Sequence, residues 1–247
     1  MNAKILTLAA AVGAAFVSPA MAFNGTIGAG VHMTQVGYLD TDAKAMLVPA
    51  IDIENDMFYF KGFEGGAYLL KTDTQRVTAG LTYMPLAFDP DDSDDARMKK
   101  LDERKGSLFA TVGYTMMGQW GVVRAQVAGD VMSKSNGLMA DVSYLKRFQV
   151  GQWGLTPQAG AVWTNKKFNN YYFGISQAEA DRSGLRQYQA KGGVSPYARL
   201  MADWKFADKW TFYAETSIRA HSKEISDSDM MDKKVMTSAG CGVSYIF

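Results

Sequence analysis

The chain contains few of the residues from which catalytic and redox sites are usually built. Among its 247 residues there is one cysteine, Cys241, and there are two histidines, His32 and His221. A single cysteine cannot form an intramolecular disulfide. Two histidines supply few general bases, so the composition gives little support for an enzyme.

Long apolar runs and a strong net charge are also absent after residue 22. A transmembrane helix needs about 20 mostly apolar residues, and no such stretch follows, which excludes a helical membrane protein. The formal net charge is +1 and the mean hydropathy is -0.14. A nearly neutral chain gives no electrostatic reason to bind nucleic acid. Mild polarity is typical of a barrel whose polar lumen residues alternate with lipid-facing ones.

The first 22 residues have the features of a secretory signal peptide. Lys4 supplies the positive start, residues 5–17 are apolar, and residues 20–22 read A-M-A, an A-x-A cleavage site. The apolar run is too short to span a bilayer of about 30 Å. The next residue, Phe23, is not a cysteine, which excludes a lipoprotein. The mature chain is expected to be one domain, residues 23–247.

The sequence is rich in two-residue periodicity, which is clearest at its end, residues 235–247. Tyr245 and Phe247 alternate there with Gly242 and Ser244. A period of two indicates a strand with one apolar face and one small or polar face. A terminal aromatic side chain stabilises a membrane barrel at the lipid interface and contributes little to a soluble sheet. The pattern favours an all-β transmembrane barrel over a soluble β-sandwich.

Similar alternation along the mature chain defines the other strands, which are predicted at residues 24–34, 46–54, 75–87, 107–117, 121–131, 138–148, 153–164, 196–206 and 210–221. Residues 57–72 form either one long strand or two short ones. In a bacterial barrel both termini are periplasmic, periplasmic turns are short and outer loops are long. Counting back from the C-terminus satisfies this rule if residues 57–72 are two strands. We therefore predict an antiparallel barrel of about 12 strands, with 10 as the alternative.

Charged residues of both signs occupy strand positions that are predicted to face the interior. They include Arg124, Asp130, Asp141, Arg147, Arg199, Asp203, Glu215 and Arg219. Unpaired charges in a lumen of this size are costly, and opposite signs can pair across it. These residues are interpreted either as a structural polar core or as the lining of a selective pore or ligand cavity.

Residues 89–105 are dense in charge and lack a strand period, so they are predicted to form a long loop with a helical turn near residues 96–101. Asp91, Asp92, Asp94 and Asp95 suggest a calcium loop, but the spacing and the later glutamate of an EF-hand are missing. We predict a solvated loop and no metal site.

Catalytic arrangements of the kinds that membrane barrels support are weak in this sequence. A barrel lipase needs a serine paired with a histidine, and the neighbours His221 and Ser222 point to opposite faces of a strand. A barrel protease would need His221 with Asp227 or Asp229, and no pattern fixes their geometry. The prediction is a non-enzymatic protein with no catalytic residues and no cofactor.

The longest insertion, residues 165–195, combines a helix signal with an aromatic cluster. Ser176 and Glu179 form a capping box, and Gly184 is a helix stop. Three successive aromatic residues precede this helix and a Gly-Gly turn follows it. The motif residues are Tyr171, Tyr172, Phe173, Gly174, Ser176, Glu179, Gly184, Tyr188, Gly192 and Gly193.

This motif, read as Y-Y-F-G-I-S…E-A…S-G-L…Y…G-G and followed by strands and an aromatic C-terminus, resembles the MipA/OmpV family of outer-membrane proteins. The resemblance covers the mature chain and is strongest from residue 169 onward. It implies the outer membrane of a Gram-negative cell, with outer-membrane lipid around the barrel. It also implies a scaffold that joins a lytic transglycosylase to a bifunctional penicillin-binding protein in murein synthesis. Other members are linked with adhesion, osmotic response and antibiotic susceptibility.

The strand count places this motif on the outer side, whereas murein enzymes are periplasmic. We therefore expect the loop to fold into the barrel mouth with residues 171–173 as a plug, or else to be a partner site. If the loop is a plug, partner contact would fall on short inner turns such as residues 150–153 and 207–210. Two functions remain open: a scaffold for murein enzymes, and a small-solute channel or ligand-binding barrel.

Overall fold

The computed structural model describes residues 23–247, and the predicted signal peptide, residues 1–22, lies outside the described residues. The described chain forms an antiparallel sheet that closes on itself, because β13 pairs with β1. The strands are β1 (Asn24–Gln35), β2 (Lys44–Glu54), β3 (Phe58–Lys61), β4 (Glu64–Lys71), β5 (Gln75–Met84), β6 (Ser107–Gly118), β7 (Gly121–Asp130), β8 (Leu138–Leu145), β9 (Phe148–Val150), β10 (Trp153–Thr164), β11 (Gly193–Ala207), β12 (Trp210–Ala220) and β13 (Val235–Ile246). The predicted all-β antiparallel barrel is confirmed.

The strands β8 and β9 are two parts of one wall strand, which was predicted as a single run over residues 138–148. Both parts pair with β10 in one register. Between them, Pro157 of β10 has no N–H to donate, although its carbonyl oxygen accepts the Lys146 N–H at 3.3 Å. The ladder is interrupted where proline removes a donor. The thirteen strand segments therefore make a wall of twelve strands, as predicted.

The strands β3 and β4 confirm that residues 57–72 form two strands. Their turn contains Gly62 at φ 57°, a left-handed conformation that glycine adopts without strain. This hairpin is short, and β3 pairs with β2 only from Asp52 to Glu54. Among the described residues, the outer half of β2 therefore has no strand neighbour on its β3 side.

The two ends of the barrel differ in the length of their connections, as predicted. At the periplasmic end, short turns at residues 119–120, 151–152 and 208–209 join neighbouring strands. At the outer end, long segments pack together into what we call the outer cap, defined as residues 36–43, 85–106, 165–192 and 221–234. Within residues 23–247 we find no helix that is both long and apolar enough to cross a membrane.

Helices occur only in the outer cap within the described chain: α1 (Lys166–Phe173), α2 (Gln177–Ser183) and α3 (Lys223–Ser226). The predicted α2 is present, with both bonds of its capping box and φ 78° at Gly184. The structure corrects the prediction at α1, because the aromatic cluster belongs to a helix and not to irregular loop. Asn165 starts that helix by accepting the Phe168 N–H at 2.9 Å, a side-chain cap that was overlooked.

Three smaller differences from the predicted loops concern their local structure. Gly193 is the first residue of β11, so this strand starts before the predicted residue 196 and the Gly-Gly pair is not a separate turn. The segment predicted as polar loop before β13 contains the short helix α3. The charged loop has two 3-10 turns, Pro90–Asp92 and Met98–Lys100, and the second coincides with the expected helical turn.

Outward-facing side chains form an apolar belt, with aromatic pairs at the periplasmic end. The ring centroids are 6.4 Å apart in the Trp120–Tyr144 pair, 5.6 Å in Trp153–Trp204 and 5.2 Å in Trp210–Tyr245. Tryptophan and tyrosine concentrate where hydrocarbon meets water, because one part of each ring system is apolar and another is polar. The periplasmic membrane boundary therefore lies at these pairs.

The belt gives a direct test of which strand face meets lipid. Val127 lies outward near the middle of β7, and its neighbour Gln126 lies inward, 3.1 Å from a Glu64 carboxylate oxygen. We expect Val127→Lys to lower the free energy of unfolding by about 2–4 kcal/mol, because a charge then enters hydrocarbon. Gln126→Lys is the matched control and should change stability little, since Glu64 can pair with it. Guanidinium unfolding in lipid vesicles measures both, and equal losses would contradict this orientation.

Candidate functional site

The lumen between the wall strands and under the outer cap is the main concave site of the described chain. The cavity has a volume of about 1220 Å³ and reaches from the underside of the cap to residues near the periplasmic end. This is somewhat larger than a typical small-molecule pocket of about 300–1,000 Å³. The space is large enough to take a ligand as well as water.

Register places the predicted lumen charges on one connected set of strand positions. Arg124 of β7 is aligned, through inward positions of β8 and β10, with Tyr197 of β11 and Arg219 of β12. Asp141, Arg199, Asp203 and Glu215 share that face, and Arg147 packs over Gly154, where an added Cβ would collide with its guanidinium.

Ion pairs neutralise part of this lining. Arg147 pairs with Asp203, and Arg199 pairs with Glu215. His32 Nε2 also lies 3.4 Å from a Glu215 carboxylate oxygen. The pairs join adjacent or nearby strands, so they brace the wall as well as satisfying the charges.

Two guanidinium groups have no ion-pair partner among residues 23–247, those of Arg124 and Arg219. The Arg219 guanidinium carbon lies 5.7 Å from the centre of the Tyr197 ring, a cation–π contact. Asp141 accepts a hydrogen bond from the Tyr197 hydroxyl at 3.2 Å. This part of the lumen therefore has spare positive charge.

Asp130 lies at the outer rim of β7 and organises the adjoining loop. Its carboxylate accepts the Ser107 hydroxyl at 2.6 Å and the backbone N–H groups of Met132, Ser135 and Asn136 at 2.6–3.0 Å. A carboxylate with this many local donors holds a turn in place. It differs in this from the charges deeper in the lumen.

Sequence reasoning missed an inward cluster around Glu54. This carboxylate pairs with Lys61 at 2.9 Å, Lys71 at 3.2 Å and Arg76 at 3.3 Å, and it accepts the Tyr68 hydroxyl at 2.6 Å. A β-bulge at residues 68–70 turns Lys71 inward, whereas strict alternation puts it outside. The two adjacent leucines at residues 69 and 70 were the available signal, because one of them breaks the period.

The outer cap has its own hydrophobic core, which closes on two wall residues, Phe109 and Ala128. Tyr172 is fully buried, and Phe168 packs on it with ring centroids 4.8 Å apart and on Phe109 at 6.2 Å. The other buried members are Tyr38, Phe88, Met98, Leu101, Phe173, Ile175, Leu185, Ile225 and Met230. Every loop of the cap contributes to this core, so the loops form one layer over the barrel mouth.

The motif residues connect the loops of the cap by hydrogen bonds. Tyr171 accepts the Lys105 N–H at 2.9 Å, and the Tyr172 hydroxyl donates to the Lys105 carbonyl at 3.2 Å. The Tyr172 carbonyl accepts the Tyr38 hydroxyl at 3.2 Å, and the Phe173 carbonyl accepts the Ser228 hydroxyl at 2.6 Å. The aromatic cluster therefore contacts three other segments of the cap.

The remaining motif residues shape the same loop. Gly174 ends α1, and its carbonyl accepts from the Arg104 guanidinium at 3.3 Å. The Tyr188 hydroxyl donates to the Glu224 carbonyl at 2.9 Å. Gly192 and Gly193 bring the chain back beside β10, and Gly193 lies against Ser222, where any Cβ would collide with the hydroxyl. The motif thus lies entirely at the outer end.

A buried ion pair joins the charged loop to α2. The Arg104 guanidinium lies 2.6 Å from Glu179 Oε1, and the side chains are 8% and 3% exposed. Glu179 also accepts the backbone N–H groups of Asp102 at 3.0 Å and Ser176 at 2.9 Å. Burial alone would raise the pKa of Glu179, but the bonds from Ser176, Arg104 and Asp102 outweigh it and lower the pKa to about 2.

The histidines and the acidic loop form structural contacts with neighbouring groups. His221 Nε2 donates to the Val36 carbonyl at 2.7 Å, and burial lowers the pKa of His221. Within residues 23–247 no serine is hydrogen-bonded to a histidine, and no group of three or more His, Cys, Asp or Glu side chains is placed to hold a metal. Asp92 and Asp95, from the conceivable calcium loop, pair with Lys44 and Arg97.

The depressed pKa of Glu179 gives the cap a predicted pH dependence. A carboxyl group with a folded-state pKa near 2 and an unfolded value near 4.5 stabilises the cap above pH 4.5. That contribution is lost as the pH falls from 4.5 towards 2. We expect amide protection at Asp102 to be constant from pH 7 to 5 and to fall below pH 4.5, as measured by hydrogen exchange corrected for intrinsic rates.

Two variants separate Glu179 from the other carboxylates of the cap. Glu179→Gln leaves Arg104 without its charge partner and should lower Asp102 protection at pH 7 by about 3 kcal/mol, or on the order of 100-fold. In this variant the fall in protection below pH 4.5, the acid step, should be absent. Glu103→Gln, at an exposed ion pair with Lys105, should behave as the wild type. An acid step that persists in Glu179→Gln would contradict this assignment.

Comparison with known proteins agrees with this architecture. The model of the family described as MltA-interacting protein MipA matches residues 27–247. The chain is 36% identical over 222 residues to the MltA-interacting protein of Escherichia coli (strain K12), which covers 90% of both chains. It is 25% identical over 167 residues to the outer membrane protein OmpV of Vibrio cholerae, covering 68% of this chain and 64% of that protein.

A solved NanC porin structure has a similar fold, with a TM-score of 0.50 and 9% sequence identity, and covers 89% of this chain and 98% of the porin. At that identity the likeness concerns the fold alone. The sequence matches carry the family assignment, since the family model spans nearly all the described residues. The protein is an outer-membrane β-barrel, and it belongs to the MltA-interacting protein MipA family, the MipA/OmpV family that its loop motif resembles.

Proposed function

We propose that this protein is a non-enzymatic interaction protein that binds a lytic transglycosylase through its periplasmic face. The observation that carries the proposal is the 36% identity, over 90% of both chains, to a protein named for its interaction with MltA. A bifunctional penicillin-binding protein as a second partner rests on the family resemblance alone. In this proposal the barrel holds a murein-cleaving enzyme close to the outer membrane.

The shape of the molecule supports the periplasmic face as the docking side. The motif residues 171–192 lie in the outer cap, where their side chains and backbone groups hold the loops together. A periplasmic enzyme meets the opposite end, where Gln119, Gln152 and Asp208 are exposed at the tips of short turns. Short turns on rigid strands also present a fixed surface, which lowers the entropy cost of binding.

Photo-crosslinking from single positions tests the docking side. A photoreactive amino acid at Gln119, Gln152 or Asp208 should give an adduct with purified MltA-type lytic transglycosylase bound to the reconstituted barrel. The matched controls carry the same amino acid at Lys134 and Lys223, which are exposed at the outer end. Adducts from at least one turn, detected by mass spectrometry and absent from both controls, are expected. Adducts only from the outer positions, or no binding at all, would overturn the proposal.

A second candidate function is a channel or ligand-binding barrel for small anionic solutes. The observation that favours it is the spare positive charge of Arg124 and Arg219 beside a cavity of about 1220 Å³. In this proposal the outer cap is the barrier to flow, with Phe168 and Phe173 in its lower surface. Solutes would pass only when the cap opens.

Replacing part of the cap tests its role as a barrier. Thr164 and Gly193 are paired ends of β10 and β11, so a short Gly-Ser turn can replace residues 166–191 without changing the strands. We expect the wild type to pass little solute and the replacement to raise single-channel conductance at least fivefold. Lys134→Ala, outside the cap, is the control. Conductance that is the same in all three proteins would mean that the cap is not a plug.

A further inference from the structure

One part of the barrel wall lacks a strand, between the outer half of β2 and the chain that follows β5. On its β1 side β2 is paired along its whole length, but on the other side pairing stops at Asp52. The last bond there joins the Gly62 N–H to the Ile51 carbonyl oxygen at 2.8 Å. Segment 85–88, which follows β5, lines the same cavity as the outer half of β2, and no backbone hydrogen bond joins the two in the described chain.

This gap has a complete frame. Its lower edge is the tip of the β3–β4 hairpin, which also bonds to β5 through the Phe63 carbonyl oxygen and the Tyr83 N–H at 3.0 Å. Its upper edge is formed by the ion pair of Lys44 with Asp92 and the bridge of Thr41 with Ser93. The wall is therefore interrupted locally, in its outer half.

The lining of the cavity shows that the lumen reaches through this gap. Behind a continuous wall, a lumen contacts only the inward-facing residues of each strand. On β2 the cavity is lined by the inward residues Met46, Val48 and Ala50 and also by outward positions 45, 49 and 51. Residues 85 and 87 of the opposite rim line it too. Leu47, outward between two of these positions, is 71% exposed.

The backbone of β2 is suited to an unpaired edge. The Ile51 carbonyl points to the gap, so the backbone groups of residues 45, 47 and 49 point there as well. An unpaired donor in hydrocarbon costs several kcal/mol. Pro49 has no N–H, which removes one donor from this edge. Ala45 and Leu47 have N–H groups on this edge close to the outer rim, where polar groups of lipids can accept hydrogen bonds from them.

The part of the cavity next to the gap is mostly apolar. Its inward residues, from the outer halves of the strands, are the polar Thr82 and Thr164 and the apolar Met46, Val48, Ala50, Met84, Phe109, Ala128, Met139 and Val162. The underside of the cap adds Phe88, Phe168, Phe173 and Ile225. Charged lining residues lie at the edges of this part, at Lys44 and Asp92 above it and at Lys61 and Glu64 below it, and along β11 and β12. An apolar chamber open towards lipid favours a hydrocarbon occupant over water.

We propose that this chamber is a binding site for one acyl chain of an outer-leaflet lipid, which enters sideways through the gap between β2 and segment 85–88. The molecules outside the gap at this level are membrane lipids, which is why the occupant is a lipid chain. The chain lies on Met46, Val48 and Met84, and its polar linkage stays at the rim near the N–H groups of Ala45 and Leu47. This site is separate from the periplasmic docking face and does not rest on the proposed function.

Photolabelling in vesicles tests the site. The purified barrel is reconstituted into vesicles of phosphatidylethanolamine and phosphatidylglycerol that contain a phosphatidylglycerol with a diazirine on one acyl chain. After illumination and digestion, mass spectrometry assigns the adducts. Adducts are expected on inward Met46, Val48 and Met84 in addition to outward belt residues such as Val112. Adducts confined to outward residues would overturn the proposal.

Two adjacent substitutions on opposite faces of β2 supply the matched control. Val48→Trp fills the chamber beside the gap and should reduce the inward adducts at least fivefold. Leu47→Trp adds the same side chain on the lipid side and should leave them within twofold. Heat-modifiable migration on gels verifies folding, and Ala50→Phe replaces Val48→Trp if that variant does not fold. Inward adducts that survive a folded chamber-filling variant would show that chains do not occupy this site.

Discussion

The structure depends on one constraint, which is that backbone N–H and C=O groups within a membrane must be paired inside the protein. Pairing of β13 with β1 closes the barrel and satisfies this requirement for the wall as a whole, because the last strand covers the edge that the first strand would otherwise expose. Two places in the described chain where strand pairing stops contain a proline. Pro157 lies opposite the break between β8 and β9, and Pro49 lies on the unpaired edge of β2. At both positions the missing partner would otherwise have left a donor without an acceptor.

The outer cap meets a different requirement, because it is a layer of loops in contact with water. It has an aromatic core around Tyr172 and a buried ion pair between Arg104 and Glu179. The aromatic core supplies apolar burial that loops alone seldom achieve, and the ion pair fixes which loops meet. Both features join segments far apart in sequence, so the cap forms only when the barrel has brought those segments to one end.

The sequence predicted the elements that depend on local pattern. The period of two located the wall strands, the parity of short and long connections resolved residues 57–72, and the capping box of Ser176 and Glu179 located α2. What it could not predict depends on contacts across the wall. The bulge that turns Lys71 inward is set by pairing with β5, and the break at Lys146 is set by Pro157 on the neighbouring strand. The helix α1 was overlooked because its residues, rich in aromatic and asparagine side chains, have weak helix propensity.

The site shows the same division between local and distant information. Alternation alone is enough to assign Arg124 or Asp203 to the inward face. It cannot tell that Arg147 pairs with Asp203, or that within residues 23–247 Arg124 and Arg219 form no ion pair. Pairing of charges depends on the height and tilt of strands distant in sequence. The gap beside β2 was likewise hidden, because a strand with one free edge has the same alternation as a strand with two partners. Pro49 was the visible exception, since proline is confined to edges and bulges in a sheet.

The outer cap, the periplasmic turns and the gap beside β2 differ in chemistry, so each suits a different kind of binding partner. The outer cap uses its aromatic and charged motif residues on its own loops, so that family motif is explained by folding before any partner is considered. The periplasmic turns are exposed, and their side chains are available to a soluble protein. The gap beside β2 faces lipid and leads to an apolar chamber, which a soluble protein cannot reach. The two proposed interactions are compatible, because a lipid chain in the gap and a murein enzyme at the periplasmic turns would contact different residues.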